Sequence, residues 1–339
     1  MVLGLSGGVD SAVAAGRLRE QGFDVLGVYL DIGSPQGVEA ARQAAAELSI
    51  PLEVVDIREE LERHVCAPFA ADYLAGRTPL PCALCNPTVK FPALLAAAHC
   101  LGIRRVATGH YARVQMGADG RAMLLRGEHT NDQSYLLARL TQDILQNVIF
   151  PLGDYKKETT RARAEEECLS VAHKPDSMEI CFVPNDDYAA WLADRGTVPP
   201  EGDFVDKNGT VLGRHKGIHH YTLGQRRGLG IPAEHRLFVT AICPEENRVV
   251  LSAGDDLFYS TVYCTQPNWI SIPGIQGPLR AQARFRHSKQ AAEVTVEQYG
   301  EGLVVRADSP VRAPTPGQLA VFYHDDVVLG SAWIDRAER

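Results

Sequence analysis

Two cysteines of the chain lie in surroundings that favour thiol chemistry. Cys85 follows Cys82 by three residues in the string PCALCN, and Cys181 lies much later in the chain, in the string EICF. The thiolate is the nucleophilic form of cysteine, and a nearby cation or a helix start lowers the thiol pKa. Because residues 86–88 (Asn-Pro-Thr) are typical of a helix start and Lys90 supplies a cation, we expect an activated Cys85.

Four chemistries compete for the C-x-x-C spacing. A zinc site would need a second pair of ligands, and the sequence contains no other C-x-x-C. A thioredoxin-like redox pair would lie in an unsuitable loop. An iron–sulfur cluster on Cys82, Cys85 and Cys181 is chemically reasonable, as is a Cys85 nucleophile that works with a sulfur carrier at Cys181. The remaining cysteines are predicted to be buried apolar residues: Cys66, Cys100, Cys168, Cys243 and Cys264.

A glycine-rich loop near the N-terminus is suited to a pyrophosphate group. Residues 4–11, GLSGGVDS, lie between a predicted strand and a predicted helix. Glycines let the backbone approach a ligand, and a helix start offers free N–H groups. The loop lacks the lysine of the G-x-x-x-x-G-K-[ST] motif, so we expect backbone and hydroxyl donors to hold the ligand. Asp10 is suited either to orient a metal ion or to cap the helix.

The first half of the chain predicts a fold that could bring these segments together. Predicted strands alternate with predicted helices, and every parallel crossover needs such a helix. The pattern therefore predicts a doubly wound α/β domain with a parallel sheet. The strands are predicted at 2–5, 25–30, 52–57 and 105–108, the helices at 12–22, 38–48, from about 59 and at 91–101, and a Pro- and Cys-rich loop at 78–87.

The second half has a different pattern, in which short strands predominate. Pro199 and Pro200 mark a linker, and residues 206–210 predict a hairpin turn. Short strands broken by Gly and Pro at 293–296, 303–306, 319–322 and 327–334 predict a C-terminal β-barrel. We therefore predict three domains: residues 1–192, a small central domain at 193–255, and the barrel at 256–339.

The composition is that of a globular enzyme. Of the 339 residues, 45% are hydrophobic and 22% charged, which excludes a disordered or fibrous chain. No apolar run reaches the roughly 18 residues of a membrane span. We expect no signal peptide and no membrane association, and a cytoplasmic location that keeps the eight cysteines reduced.

Acidic residues outnumber basic ones, 42 to 34, so a polyanion would need a local basic surface. Three stretches offer one, and two of them, 211–230 and 280–289, contain no acid. Such runs favour contact with an RNA backbone. Their basic residues are Arg214, Lys216, Arg226 and Arg227; Arg280, Arg284, Arg286 and Lys289; and, beside Glu158, Lys156, Lys157, Arg161 and Arg163.

The motif SGGVDS at 6–11 resembles the signature of the ATP pyrophosphatase family. Further strings in the same order resemble tRNA-specific 2-thiouridylases over nearly the whole chain. They are GRTP (76–79), CN-x-x-x-KF (85–91), ATGHYAR (107–113), DQSY (132–135), FPLG (150–153), DS-x-x-ICF (176–182), HYTLGQRRGLG (220–230) and TPGQ-x-AVFY (315–323).

This resemblance implies the ATP-dependent replacement of oxygen by sulfur at C2 of the wobble uridine (U34) of tRNA. Adenylation of the C2 oxygen makes AMP the leaving group, and Mg²⁺ near Asp10 offsets the charge of the departing pyrophosphate. The implied ATP-binding residues are Gly4, Leu5, Ser6, Gly7, Gly8, Val9, Asp10, Ser11, Leu30 and Gly109.

The same resemblance makes Cys85 the nucleophile and Cys181 the carrier of a persulfide. Attack of Cys85 on that persulfide would release sulfide and close a transient Cys85–Cys181 disulfide. Direct attack of the persulfide on C2, with Cys85 resolving afterwards, stays open. The persulfide donor would be a sulfur-relay protein or a cysteine desulfurase.

Ten positions match tRNA contacts of the family: Leu80, Pro81, Cys82, His110, Asn131, Asp132, Gln133, Arg284, Phe285 and Gln318. Leu80 departs from the family pattern, in which an Asn contacts the target base, and Asn131 replaces a usual Lys. The target base must be splayed into the pocket. Two other functions stay open: an adenylating synthetase that needs no thiol, and a non-catalytic tRNA-binding module.

Overall fold

The computed structural model describes residues 1–175, 180–287 and 290–339. The strands are β1 Val2–Gly4, β2 Leu26–Asp31, β3 Leu52–Asp56, β4 Val106–Thr108, β5 Ala112–Met116, β6 Ala122–Arg126, β7 Val148–Ile149, β8 Gly202–Val205, β9 Val211–His215, β10 Phe238–Cys243, β11 Arg248–Ser252, β12 Phe258–Trp269, β13 Leu279–Arg284, β14 Ala292–Tyr299, β15 Gly302–Arg312, β16 Leu319–His324 and β17 Val327–Glu338.

The α-helices are shorter and lie mostly in the first half. They are α1 Val9–Glu20, α2 Pro35–Glu47, α3 Arg58–Leu61, α4 Ala67–Leu74, α5 Pro81–Cys85, α6 Phe91–Cys100, α7 Ser134–Leu137, α8 Gln142–Leu145, α9 Lys157–Glu166 and α10 Tyr188–Arg195. Two π turns, Glu62–Cys66 and Asn86–Lys90, interrupt the helical runs. In the described ranges, no helix combines the length and the apolar character that crossing a bilayer requires.

The first sheet is parallel, with the strand order β3-β2-β1-β4-β7. The chain leaves β1 towards β2 on one side and later returns to β4 on the other. A crevice forms outside the carboxyl ends of the strands where the order reverses in this way. The predicted doubly wound α/β architecture is confirmed, and β1 and β4 flank its crevice.

Alternating side chains of β1 explain why helices cover both faces of this sheet. Val2 packs into a core cluster with Phe91 and Leu94 of α6, whereas Leu3 packs with residues of α1 on the opposite side. Neighbouring residues of a strand point to opposite faces, so one short strand anchors both layers. The small side chains of α1 let its backbone lie close to the sheet, as expected from its alanines.

The central domain contains a four-stranded sheet of order β10-β11-β8-β9. Its β8–β9 hairpin is the predicted one, and Asp206 shapes the turn because its Oδ1 accepts the N–H groups of Asn208 and Thr210, each at 2.8 Å. Gly209 has a φ of +87°, which glycine adopts without strain. Phe204, Val239 and Leu251 fill the core of this domain.

The C-terminal strands form a closed barrel, as predicted. Its order is β12-β15-β14-β13-β16-β17, and a further β12–β17 pairing closes it. The hairpin β5–β6, which comes from the first half of the chain, extends this sheet through pairing of Leu124 and Leu125 with Val328 and Val327. The barrel is therefore joined to the first domain by main-chain hydrogen bonds.

The expectation of a loop over residues 78–87 is wrong beyond residue 80. Pro81 occupies the first position of α5, where a proline is favourable, and the helical path continues to Cys100. Pro87 lacks the N–H that an α-helix would use inside this path, and the chain passes it in the π turn Asn86–Lys90. The two prolines and two cysteines of this segment indicated a loop. Local composition does not reveal that a π turn can accommodate a proline within a helical path.

Candidate active site

The glycine-rich loop connects β1 to α1 and leaves the helix start uncapped. Ser11 Oγ accepts the Ser6 N–H at 3.2 Å and donates to the Gly8 carbonyl at 3.0 Å, so it stabilises the loop itself. Gly8 precedes the helix, and no side-chain cap bonds to the first N–H groups of α1. Those N–H groups are the donors that an anionic ligand would use.

Two glycines of the predicted nucleotide site are required by close backbone approaches. A Cβ on Gly7, whose φ is +70°, would lie 2.7 Å from the backbone of Ala40 in α2. A Cβ on Gly109, which follows β4, would lie 2.8 Å from the backbone carbonyl carbon of Asp10. These contacts bring the glycine loop and the end of β4 together. Leu30 lies near the end of β2, where it packs against the apolar cluster that also includes Cys85.

Asp10 neither caps the helix nor remains available as an open metal ligand. Lys157 Nζ donates to both carboxylate oxygens of Asp10, at 2.7 and 2.9 Å, and the Tyr111 hydroxyl donates to Oδ1 at 2.7 Å. Lys174 Nζ donates to the Gly7 carbonyl at 3.2 Å. Two lysines from distant segments thus provide the positive charge that the loop motif lacks, although Lys157 was predicted to contact RNA.

The residues present do not fit a magnesium ion held by the protein. Asp10 is the only carboxylate of the glycine loop, and Lys157 and Tyr111 already bond to it. Over the described part of the chain, no group of three or more His, Cys, Asp and Glu side chains is arranged to hold a metal ion. A Mg²⁺ ion would therefore have to arrive on the phosphates of the nucleotide.

The two candidate thiols are close enough for their charges to interact. The pKa of Cys181 is raised to about 11, chiefly by desolvation although the residue keeps exposed surface; Lys90 lowers this pKa and a charge on Cys85 raises it. Burial is also the largest influence on Cys85, whose pKa is raised despite the opposing effect of Lys90. Cys181 is also near enough to the Tyr29 phenol of β2 to raise its pKa, and Cys85 packs against the same apolar cluster as Leu30, the next residue of β2.

The prediction of an activated Cys85 is therefore wrong for the free protein. Cys85 ends α5 instead of starting a helix, because the helix begins four residues earlier at Pro81. The charge and the backbone N–H of Lys90 both lower the Cys85 pKa, but burial outweighs them. Both candidate thiols are mainly protonated at neutral pH.

The iron–sulfur alternative on Cys82, Cys85 and Cys181 gains no support. Within residues 1–175, 180–287 and 290–339 these thiols are not arranged as a metal-ligand set. All three are free cysteines, and so are the other five. Burial was predicted for those five, but only Cys66 and Cys264 are buried. Cys243 is half-buried, and Cys100, the last residue of α6, and Cys168, just beyond α9, are exposed.

His110 and Lys90 complete the polar part of this site. The His110 Nδ1 lies 2.8 Å from the Thr108 hydroxyl, and its ring packs beside those of Phe91 and Phe150, with centroid distances of 6.0 and 5.9 Å. Burial and the charge of Lys90 hold the His110 pKa well below its usual value, so the imidazole is neutral at physiological pH. Lys90 influences both thiols and His110, a central position that its spacing from Cys85 alone did not reveal.

Several positions predicted to contact tRNA instead connect the first domain to the barrel. Asp132 Oδ2 accepts a hydrogen bond from Arg284 Nη1 at 2.8 Å, and these side chains are only 9% and 10% exposed. Phe285 is also buried, and Gln133 accepts the Tyr111 N–H at 3.0 Å. In this conformation Arg284 and Phe285 lack the exposed surface that a tRNA contact requires.

The segment expected to face the target base lies at the start of α5. Leu80 immediately precedes the helix, Pro81 is buried, and Cys82 is exposed one turn before Cys85. Gln318, predicted as a tRNA contact, donates its amide to the backbone of the residues just before Leu80. Asn131 lies beside Asp132, and its buried Nδ2 has no partner among the described residues.

The acid-free stretches of the sequence are partly neutralised by acids from neighbouring strands. Arg214 pairs with Asp203 and Arg280 pairs with Asp308, each at 2.7 Å. Some of the other basic residues of these stretches form ion pairs and others form none among the described residues. Lys289 lies outside the described residues. A basic run in the sequence is therefore not by itself a positive surface.

A positive surface does exist in the central domain, on the loop 226–237. Arg226, His235 and Arg236 line a cavity of about 510 Å³ and make no ion pair within the described chain. All three are exposed, and the loop contains a single acid, Glu234. Of the residues that line this cavity, Arg226 belongs to the predicted basic stretch 211–230, and its charge is available to a polyanion.

The fold and the glycine loop define an ATP pyrophosphatase-type α/β protein with two additional β domains. Family models match residues 1–185 as a tRNA methyl transferase HUP domain, residues 190–253 as a tRNA methyl transferase PRC-barrel domain, and residues 259–334 as an aminomethyltransferase beta-barrel domain.

Curated relatives match over the full length. The tRNA-specific 2-thiouridylase MnmA of Desulfitobacterium hafniense (strain Y51) is 41% identical and aligns over 98% of this chain and 97% of its own. That of Syntrophotalea carbinolica is 43% identical over 98% of both chains. The chain belongs to the tRNA-specific 2-thiouridylase family, which confirms the resemblance carried by its motifs.

Replacement of Lys90 tests the electrostatic arrangement of the thiols. In Lys90→Gln the loss of a positive charge should raise the pKa of both Cys85 and Cys181, because Lys90 lowers both. At pH 8 the thiolate fraction, and with it the alkylation rate, should fall about threefold to tenfold. Alkylation by iodoacetamide, followed by peptide mass spectrometry, measures each thiol separately.

The matched control is Lys207→Gln, which removes the same charge from the turn of the β8–β9 hairpin. It should leave both alkylation rates unchanged, and Lys90→Arg should restore most of the lost reactivity. Equal rates in Lys90→Gln and the unsubstituted protein would contradict the described interaction.

Proposed function

We propose that this protein is an ATP-dependent tRNA sulfurtransferase that replaces the C2 oxygen of the wobble uridine by sulfur. The observation that carries the proposal is a chain of contacts from the thiols to the glycine loop. Lys90 interacts with both thiols and with His110. Gly109, next to His110, lies against the backbone of Asp10 in the glycine loop. Leu30 supports it, since this residue packs against the same apolar cluster as Cys85 and Phe182. The names of the full-length relatives supply the substrate class, tRNA uridine.

The nucleotide would lie with its phosphates at the start of α1. The free N–H groups there, with Lys157 and Lys174, provide positive charge where the pyrophosphate develops. Adenylation is needed because the uracil carbonyl is a poor electrophile and oxide is a very poor leaving group. Mg²⁺ bound to the nucleotide would offset further charge on the phosphates.

Sulfur transfer would use both cysteines. A Cys85 thiolate attacks the Cys181 sulfur of a Cys181 persulfide, which forms the Cys85–Cys181 disulfide and expels hydrosulfide; hydrosulfide then adds to C2 and AMP leaves. Alternatively, the terminal persulfide sulfur attacks C2 and displaces AMP, and Cys85 then attacks Cys181 and releases the thiolated base. Both routes end in a disulfide that an external dithiol must reduce.

Because the pKa values of both thiols are raised, this scheme requires a group that stabilises the Cys85 thiolate. Lys90 is the cation near both sulfurs, and the neutral His110 interacts with Lys90 in the same pocket. A thiolate formed at Cys85 would be stabilised by Lys90, and we assign Lys90 that role. The persulfide donor would be a sulfur-relay protein or a cysteine desulfurase, and we expect the reaction in the cytoplasm.

Replacement of each cysteine by serine tests the reaction directly. Cys85→Ser and Cys181→Ser should each abolish 2-thiouridine formation, because a serine hydroxyl neither carries sulfane sulfur nor closes a disulfide. The measurement is mass analysis of nucleosides from tRNA incubated with protein, ATP and a persulfide donor. Cys168→Ser, an exposed cysteine on another connection, is the matched control and should retain activity.

Thiolation by Cys181→Ser would exclude the persulfide role. An unchanged rate of pyrophosphate release after alkylation of both thiols, without any thiolated product, would favour the thiol-independent synthetase. Binding of tRNA with no ATP turnover would favour a non-catalytic binding module.

A second prediction concerns the tRNA surface on loop 226–237. In Arg226→Gln with Arg236→Gln, two unpaired charges are lost from the cavity, and tRNA affinity should fall uniformly across substrate sequences. The slope of log affinity against log salt should decrease by about one for each phosphate contact removed. Filter binding or fluorescence anisotropy at several salt concentrations measures both quantities.

Arg280→Gln is the control for this experiment, because its guanidinium already pairs with Asp308. It should change the salt slope less than the double variant does. A double variant with an unchanged slope would remove the loop from the tRNA interface.

A further inference from the structure

The backbone just before the thiol-bearing helix is held by the C-terminal barrel. Gln318 Nε2 donates to the Thr78 carbonyl at 2.9 Å and approaches the Pro79 carbonyl at 3.3 Å. The Thr78 N–H in turn donates to the Pro316 carbonyl at 3.0 Å. One turn of the barrel therefore bonds both the backbone N–H and the carbonyl of Thr78. Thr78 and Gln318 are 240 residues apart in the sequence.

That turn is itself fixed in the barrel. The Gln318 N–H donates to the Thr315 carbonyl at 3.1 Å, and its own carbonyl accepts the Ile334 N–H of β17 at 2.8 Å. Gly317 has a φ of +91°, and a Cβ there would lie 2.8 Å from the Thr78 carbonyl oxygen. The barrel turn and the segment at Thr78 thus meet backbone against backbone, with no room for a side chain.

The central domain reaches the same segment. The Thr78 hydroxyl donates to the Thr222 hydroxyl at 3.2 Å, and a Cβ on Gly76 would lie 2.8 Å from the side chain of Ile242 in β10. Arg77 pairs with Asp335 of β17 at 3.0 Å. Residues 76–79 are consequently a junction of all three domains.

The junction ends where α5 begins. Leu80 precedes the helix, and Cys82 and Cys85 lie on it, so the position of the Thr78–Pro79 backbone sets where both sulfurs lie. A hydrogen-bonded backbone changes position less than a free loop, and local opening follows the loss of such bonds. Gln318 is the side chain that bonds to two successive carbonyls at this point.

We infer that Gln318 is a positioning residue, which holds the Thr78–Pro79 backbone and through it the start of α5 with the Cys85 thiol. This inference deepens the proposed function, since Cys85 is its nucleophile, but it concerns the free protein and needs no tRNA. It also differs from a direct tRNA contact, for which the Gln318 amide would have to give up its present bonds.

The test measures alkylation of Cys85 in the free protein at fixed pH, in the absence of tRNA and ATP. In Gln318→Ala the start of α5 loses its bonds to the barrel side chain, and the half-buried Cys85 should react faster by about threefold to tenfold. Gln318→Glu should behave like Gln318→Ala, because a carboxylate cannot donate to the two carbonyls. Gln318→Asn retains the donor group on a shorter side chain and should react at an intermediate rate.

Gln298→Ala is the matched control. Its amide also donates to a backbone carbonyl, that of Gly300 at 2.8 Å, but on an exposed hairpin of the barrel. The control should leave Cys85 alkylation unchanged. In each variant the buried Cys264 of the barrel should stay unreactive, and its alkylation together with Cys85 would reveal general unfolding and contradict the inference.

Affinity for tRNA separates the two roles of Gln318. Positioning predicts faster Cys85 alkylation with a Kd for tRNA within about twofold of the unsubstituted protein. Direct contact predicts weaker tRNA binding with unchanged alkylation, and an unchanged alkylation rate in Gln318→Ala overturns the inference whatever the affinity. Because neither readout requires turnover, failure of the sulfurtransferase proposal would be seen separately, in the nucleoside assay.

Discussion

The site depends on the close approach of two backbones where the strand order of the parallel sheet reverses. Beyond β1 the chain forms the glycine loop, and beyond β4 it passes Gly109. A side chain at position 109 would clash with the backbone of Asp10. The strand order reverses at β1, because β2 lies on one side of it and β4 on the other. The crevice at this point receives the start of α1 from β1 and His110 from beyond β4. Without that approach, the glycine loop and the segment that carries His110 would not meet.

Around the two thiols, desolvation and the charge of Lys90 shift the pKa values in opposite directions. Burial disfavours the thiolates of Cys85 and Cys181, and Lys90 partly offsets this effect. Proximity of two thiols adds to the cost, because a charge on one raises the pKa of the other. The free protein therefore keeps both sulfurs mostly protonated.

Features set by local chemistry were predictable from the sequence, and features set by distant partners were not. The hairpin at 206–210 and the strand–helix alternation follow from turn residues and crossover length, and both were correct. The bond of Lys157 to Asp10 joins residues 147 positions apart, so a motif search saw only a loop without a lysine. Likewise Arg214 and Arg280 looked like free charge because their acids lie on neighbouring strands.

The same reasoning explains why an acidic protein can be specific for a polyanion. Beyond a Debye length, roughly 8 Å at physiological salt, the repulsion between RNA and a net charge of −8 is largely screened, so the charges close to the contact decide binding. Only a molecule that brings a phosphate directly to the loop 226–237 gains the attraction of Arg226 and Arg236. Since that loop begins just after Thr222, which bonds to Thr78, attraction at the central domain acts on a segment that is continuous with the thiol helix.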